Sequence, residues 1–453
     1  MAGSGEEGLS TRDRLTAAAA EELSQRGGID LTVASVARAA GMTTGAVYSC
    51  FVNREELVAA AFMHRIQRRT ANRDLDLVQL ASQVFSTDPP DADRLWEIAG
   101  RLSTPSNTHE RLLTLHTLVS ARHSEILRKK LLPVAQTLWS NIAAHISASQ
   151  QAGITRADLP PSEMASAWTA ALLGVAPMAE LLWDGGRAPE VELEQQKALF
   201  IIMQSFARVP YEVPDSARRT PSTRTHGRRG RHLADRDSDT RRALIAAAIE
   251  AQDRLGSYEL KVGDIARAAG VTTGALYAEF GDRSGLLAQA HLERLRVMQD
   301  APTNHYEYAA VIFATEPEDD PKSVAFARQM VRSEVRVRRL QALEAFVDAA
   351  FIPVLHDQLL LRSDAVLGPI VASIELSQRG GQTRDDLSAH TIAWAWLGCS
   401  QGLSAWAFLA TERIPPDAAA RLYTVNSVLM RTFKVEPWTR ILTPEDLNLT
   451  DLP

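Results

Sequence analysis

Two stretches of this chain constrain its fold more than any other feature. Leu31 to Ala61 reads LTVASVARAAGMTTGAVYSCFVNREELVAAA, and Leu260 to Ala290 reads LKVGDIARAAGVTTGALYAEFGDRSGLLAQA. They align without a gap, agree at about half their positions and lie 229 positions apart. A solenoid repeats every ~20–50 residues, so this period points to duplication of a whole domain.

The helix signals around each stretch are the same. From Thr11, Leu15, Ala18, Ala19 and Leu23 share one face of a helix that Gly27-Gly28 can end, and Leu244, Ala247 and Ala248 repeat the design from Thr240. Thr32 caps a second helix, Gly41 breaks it, and Thr43 caps a third over Thr44 to Cys50. Two helices joined by a glycine-containing turn of about three residues make a helix-turn-helix. Gly270 and Thr272 play these parts in the second copy, but Lys261 replaces Thr32. An ammonium cannot accept the capping bond, although it can meet a phosphate. A longer helix starts near Asn53 with Leu57, Val58, Ala61 and Phe62 turned inward.

The echo extends beyond the motif. Ile146 to Leu159 resembles Ile374 to Leu387 at an offset one shorter, Leu132-Pro133-Val134 pairs with Ile352-Pro353-Val354, and Leu173-Gly174 pairs with Leu397-Gly398. The duplicated unit is thus about 200 residues long. Between the copies, Tyr211 to Asp239 has almost no large apolar residue and reads as a disordered linker. Six arginines in residues 211–234 stand against Glu212 and Asp215. The tail after Trp438 is expected to pack loosely.

Composition narrows the function. No uninterrupted apolar run approaches the ~18–20 residues of a membrane span, and residues 1–10 have no signal-peptide pattern. Cys50 and Cys399 stand alone, which favours a reducing, cytoplasmic setting without disulfides or a cysteine-held metal. The scattered histidines, His64, His116, His123, His145, His291, His356 and His390, lack paired metal spacing. Without a P-loop, dinucleotide fingerprint or GxSxG in context, we expect no enzyme and no cofactor. The net charge of −6 does not announce a nucleic-acid binder, so the location of the charge matters more than its sum.

With Val33-x-x-Val36-Ala37, Gly41, Thr43-Thr44-Gly45-Ala46-Val47-Tyr48 and Phe51, matched by Val262-x-x-Ile265-Ala266, Gly270, Thr272-Thr273-Gly274-Ala275-Leu276-Tyr277 and Phe280, the chain resembles TetR-type transcriptional regulators twice over. The resemblance implies an all-α fold of two units, each a three-helix DNA-binding domain followed by a helical ligand-binding and dimerisation domain. The expected boundaries are 10–70 and 71–210, a linker over 211–237, then 238–299 and 300–440, with a tail over 441–453. Family members commonly dimerise on palindromic sites, so two fused units resemble a tethered pseudo-dimer, although pairing between chains as a homodimer is equally open. A flexible linker of this length spans roughly 30 Å, near the ~34–36 Å between half-sites.

The resemblance implies double-stranded DNA and a small-molecule effector as partners. The candidate DNA contacts are Thr32, Thr43, Thr44, Gly45, Ala46, Tyr48, Ser49 and Arg54, with Lys261, Thr272, Thr273, Gly274, Ala275, Tyr277 and Arg283 in the second copy. Thr44 can donate to or accept from a base edge, and Ala46 can pack on a thymine methyl. Tyr48, Tyr277, Arg54 and Arg283 fall where the family meets phosphates, which positions a protein without reading sequence. The two tyrosines could instead cap the small cores.

The first head, over 10–70, carries eight arginines against six carboxylates, whereas the second, over 235–299, carries nine basic against ten acidic residues. Glu279 in particular stands beside the face expected to meet phosphate. Each head alone is expected to bind weakly, and linkage can raise affinity ~10²–10⁴-fold. Differences such as Ser49 against Ala278 allow the heads to read an asymmetric operator.

The residues expected around an effector are Trp96, His116, Trp139, Trp168, Met178, Trp396 and Trp406, although aromatic residues at helical spacing also make ordinary core. A ligand-responsive repressor is the leading reading. A sensor that has lost DNA binding, or an architectural DNA binder, is the alternative.

Overall fold

The computed structural model describes residues 9–27, 31–71, 76–88, 91–182, 189–208, 238–257, 260–299 and 332–410. Among these residues the chain is helical, and an isolated β-bridge joins Thr155 and Ala207. The expected linker over 211–237, residues 300–331 of the second bundle, and everything from 411 through the tail lie outside the described residues.

The first head is α1 (Thr11–Arg26), α2 (Val33–Ala39), α3 (Thr44–Cys50) and the first turns of α4 (Arg54–Ala71). Leu15, Leu23, Val36, Val47, Phe51, Leu57 and Phe62 are buried together. Thr32 Oγ1 accepts from Ser35 N at 2.9 Å while Ser35 Oγ accepts from Thr32 N at 3.0 Å, a reciprocal cap on α2. Gly41 turns the corner at φ 66°, a conformation most side chains resist.

The second head repeats this in α12 (Asp239–Leu255), α13 (Val262–Ala268), α14 (Thr273–Phe280) and α15 (Arg283–Gln299), with Gly270 at φ 69°. Lys261 offers α13 no side-chain cap. Asp264, at the position of Ser35, pairs instead with Arg267 at 2.9 Å. Losing such a cap costs ~1 kcal/mol.

The first bundle comprises α5 (Leu77–Val84), α6 (Ala92–Ser103), α7 (Pro105–Ser120), α8 (Glu125–Gln151), α9 (Pro161–Gly174), α10 (Ala176–Leu182) and α11 (Pro189–Gln204). The described part of the second is α16 (Ser333–Ala349), α17 (Pro353–Arg379) and α18 (Ala389–Ala410). The helices α8 and α17 are both 27 residues long and end alike. Ser149 pairs with Thr155 at 2.7 Å as Ser377 does with Thr383 at 2.6 Å, and Gln150 and Gln378 each donate to two carbonyls of the following turn.

This register corrects two of the sequence pairings. Pro353 is the first residue of α17 and corresponds to Glu125, whereas Pro133 lies inside α8. Gly174 corresponds to Gly402, one helical turn beyond Gly398. Short motifs of common residues align by chance more easily than helix ends do.

The most extensive contact between elements joins the halves, where α9 crosses α18. A Cβ added to Gly174 would stand 1.8 Å from Gly398 O, and one on Gly402 would stand 1.9 Å from Ala170 O. The two backbones therefore touch, in a near-symmetric pair of contacts, and only glycine leaves the room. The stretch Pro161–Leu181 is long and apolar enough by composition to cross a membrane, but Glu163 and Glu180 interrupt it and most of it is buried inside the protein. Close packing against the other half accounts for its apolar character.

Candidate nucleic-acid interface

Each recognition helix starts at a threonine cap. Thr43 Oγ1 accepts from Ala46 N and Thr272 Oγ1 from Ala275 N, both at 3.2 Å. The buried side chains Val47 and Leu276 pin the helices to their heads. The opposite faces are open: Thr43, Thr44, Gly45, Tyr48 and Ser49 are exposed, as are Lys261, Thr272, Thr273, Gly274 and Tyr277, with Ala46 and Ala275 half-buried. Thr32, the capping residue of α2, is exposed as well. Tyr48 and Tyr277 are 61% and 51% exposed, which removes the reading that they cap the cores. Ser49 donates to Ala46 O at 2.8 Å, so its oxygen remains an acceptor.

Gly45 and Gly274 are informative for what surrounds them. An added Cβ would meet only the capping threonine oxygen, at 3.6 and 3.7 Å. Glycine inside a helix costs ~0.5–1 kcal/mol relative to alanine, and nothing within the fold asks for it here.

Arg54 and Arg283 also make contacts inside their own heads. Arg54 donates through Nε and a terminal nitrogen to Leu31 O at 3.0 and 2.8 Å, and Arg283 donates to Ser257 O at 2.7 Å. Both are half-buried staples between the last helix of the head and the loop before its second helix.

Glu279 is also better compensated than its sequence position suggested. Ser238 Oγ donates to it at 3.0 Å, Arg241 lies 4.0 Å away, and the Arg241 guanidinium covers the Phe280 ring. In the first head the corresponding Arg12 pairs with Glu56 at 2.8 Å and covers Phe51. The acidic partner has moved from α4 to α14, and a paired carboxylate repels DNA less than a free one.

Residues 15–61 and 244–290 each match the domain described as bacterial regulatory proteins, tetR family. The chain carries the TetR-type DNA-binding domain twice. A solved structure assigned to a TetR-family transcriptional regulator from Rhodococcus sp. is 26% identical, aligning over 43% of this chain and 100% of its own. Its TM-score of 0.31 is too low to bear on how the halves are arranged. No curated protein matches the chain.

Above the first TetR-type head lies a cavity of about 390 Å³ between α4, α5, α7, α8 and α9. Ile66, Leu77, Leu118, Leu131 and Leu138 give it an apolar wall, and Asp76, Thr114, Thr137, Asn141 and Thr169 add polar points. The three threonine hydroxyls donate to Glu110 O, Pro133 O and Ala165 O, so those of Thr137 and Thr169 can meet a further partner only as acceptors.

Among the described residues, none of those expected around an effector lines this cavity. Trp96 packs on Phe200, Trp168 is fully buried against Phe85, Met178 and Trp396 are buried, and Trp139 is half-buried on α8. The Trp406 side chain lies outside the described residues. His116 stacks between Phe62 and Phe351 at 5.3 and 5.2 Å, where burial and the nearby Arg65 push its pKa down to about 3. Leucines and threonines spaced along helices look like any core, so no sequence signal distinguished the residues that do line the cavity.

Proposed function

We propose that the chain is a DNA-binding transcriptional regulator whose halves form an intramolecular pseudo-dimer and place two non-equivalent heads on one operator. The observation that carries this reading is the backbone contact of Gly174 with Gly398 and Gly402, made between the two halves of a single chain. The exposed faces of α3 and α14 are the reading elements, with Tyr48 and Tyr277 on phosphate and Thr44, Ala46 and Ser49 against Thr273, Ala275 and Ala278 at base edges. Because these sets differ, the operator is asymmetric.

The cavity beside Ile66 of α4 supports the effector-responsive part of the reading, since α4 also carries the first head. Its lining suits an apolar molecule with hydrogen-bond donors. Repression follows if the effector-free form is the DNA-binding one.

In-vitro selection from random duplexes, with Tyr48→Ala and Tyr277→Ala tested separately, checks the proposal. An enriched asymmetric site lost with either change supports it. Binding to every duplex with a steep salt slope favours an architectural role instead, and no binding at low salt ends the DNA-binding reading altogether.

A further inference from the structure

The α7–α8 corner of the first half and the α16–α17 corner of the second each reach across to the opposite head, and the chemistry at the two places is unlike. Phe351 lies over Gly27 at the end of α1, where an added Cβ would meet its ring at 2.4 Å, and it stacks on His116, which in turn meets Phe62. This junction is aromatic, and Arg65 at its edge donates to Leu113 O at 2.5 Å.

His123 takes the place of Phe351 at the other junction, lying over Gly256. There it meets Glu344 at 2.7 Å, and Arg122 donates to the same carboxylate oxygen at 2.9 Å. Arg294 approaches the other Glu344 oxygen at 3.6 Å and is paired with Asp253, which also accepts from Gln341 at 2.8 Å. Behind them His291 faces Asp348 at 3.0 Å. Burial alone would raise the Glu344 pKa, but Arg122, His123 and Arg294 outweigh it and hold the carboxyl well below its usual range.

Across the register of the two halves, Glu344 corresponds to His116, Arg122 to Ala350, His123 to Phe351, Asp253 to Ser24 and Asp348 to Ser120. A pair of two first halves would therefore set Arg122 and His123 against His116 and Arg65, with no carboxylate among those positions. A pair of two second halves would set Glu344 against Ala350 and Phe351, leaving it with Arg294 as the one of its three basic partners that remains, an arginine already shared with Asp253. Both would bury uncompensated charge, which is strongly unfavourable. The glycine crossing does not discriminate, because it is nearly symmetric.

From this juxtaposition we infer that the first half's Arg122–His123 corner is an interaction surface cut to the second half's Glu344, which selects unlike-half pairing and rejects like-half pairing. The selection works by making the wrong pairs worse as well as the right pair better. Its consequence is a fixed order of heads, so the two unlike readers always approach DNA in one arrangement. This rests on the pseudo-dimer reading, but not on DNA binding.

The test uses the full chain with a protease site inserted after Ser222, cut after purification, unfolded in urea and refolded by dilution so that each half is free to choose. Native mass spectrometry should find unlike pairs in about hundredfold excess over like pairs. Like pairs in comparable amounts would overturn the inference. DNA binding by the uncut chain is a separate readout, so loss of the regulator reading and loss of pairing selection are distinguishable.

Arg122→Met, Glu344→Gln and the double variant, melted as uncut chains, assign the selection to this contact. The double variant should lose clearly less than the sum of the single losses, and simple additivity would also overturn the inference.

Discussion

Gly174→Ala probes the pairing of the halves at its tightest point. The new methyl would stand 1.8 Å from Gly398 O and 2.8 Å from the backbone of Gly402, and neither is a side chain that can swing away. Ordinary contact needs about 1.5 Å more room, and a gap of that order forfeits about half or more of the dispersion energy between surfaces in contact. Overpacking typically costs ~1–3 kcal/mol, and backbone on both sides puts this site at the upper end. Alanine's better helix propensity returns up to ~1 kcal/mol. The net loss is then about 2 kcal/mol, or roughly 4–8 °C in Tm for a unit of this size.

Differential scanning calorimetry reads the shift, with Gly263→Ala as control. Gly263 lies in α13, is not followed by a proline, and has open space around an added Cβ, so that variant should melt at or slightly above the parent. A Gly174→Ala protein that melts with the parent would refute the close crossing and the pairing built on it.

Other expectations follow from the same geometry. Gly45→Ala should leave the melting temperature unchanged or raised, because its Cβ has room, yet weaken operator binding in a fluorescence-anisotropy titration; unchanged affinity would remove the close approach of α3 to DNA. Glu344→Gln leaves Arg122 and Arg294 short of a buried counter-charge and should cost ~3–5 kcal/mol in denaturant unfolding. His116 has a folded pKa of about 3 against an ordinary 6.5, so the unfolded chain binds a proton that the folded one refuses, and stability is lost as pH falls below about 6.5. His116→Phe should flatten that loss between pH 6.5 and 4.5, above the range in which Glu344 and Asp348 begin to contribute, and an unchanged slope would show that His116 is not its source. Leu118→Trp, by filling the cavity, should abolish binding of an apolar fluorescent probe while sparing DNA binding, and retained probe binding would place the ligand elsewhere.

The heads were legible in the sequence because local chemistry decides them. Threonine caps at 32, 43 and 272, glycines at the two turns and buried residues at helical spacing act over a few neighbours, and the helix bounds of α2 and α3 followed from them. The missing cap at Lys261 was legible for the same reason. The internal contacts of Arg54, Arg283 and Glu279 were not. Their partners, Leu31 O, Ser257 O, Ser238 and Arg241, stand between 23 and 41 residues away, and only folding brings them together.

The cavity was illegible because its residues have no chemistry foreign to a core. The sequence by itself determined a duplicated all-helical chain with two capped helix-turn-helix heads, since propensity, capping and periodicity are properties of short windows. Tertiary structure alone decided that Gly174 meets Gly398, that Arg122 and His123 meet Glu344, and that the two heads are held by unlike junctions. Those contacts join residues more than 200 positions apart, and their energies exist only once two surfaces exclude water from between them.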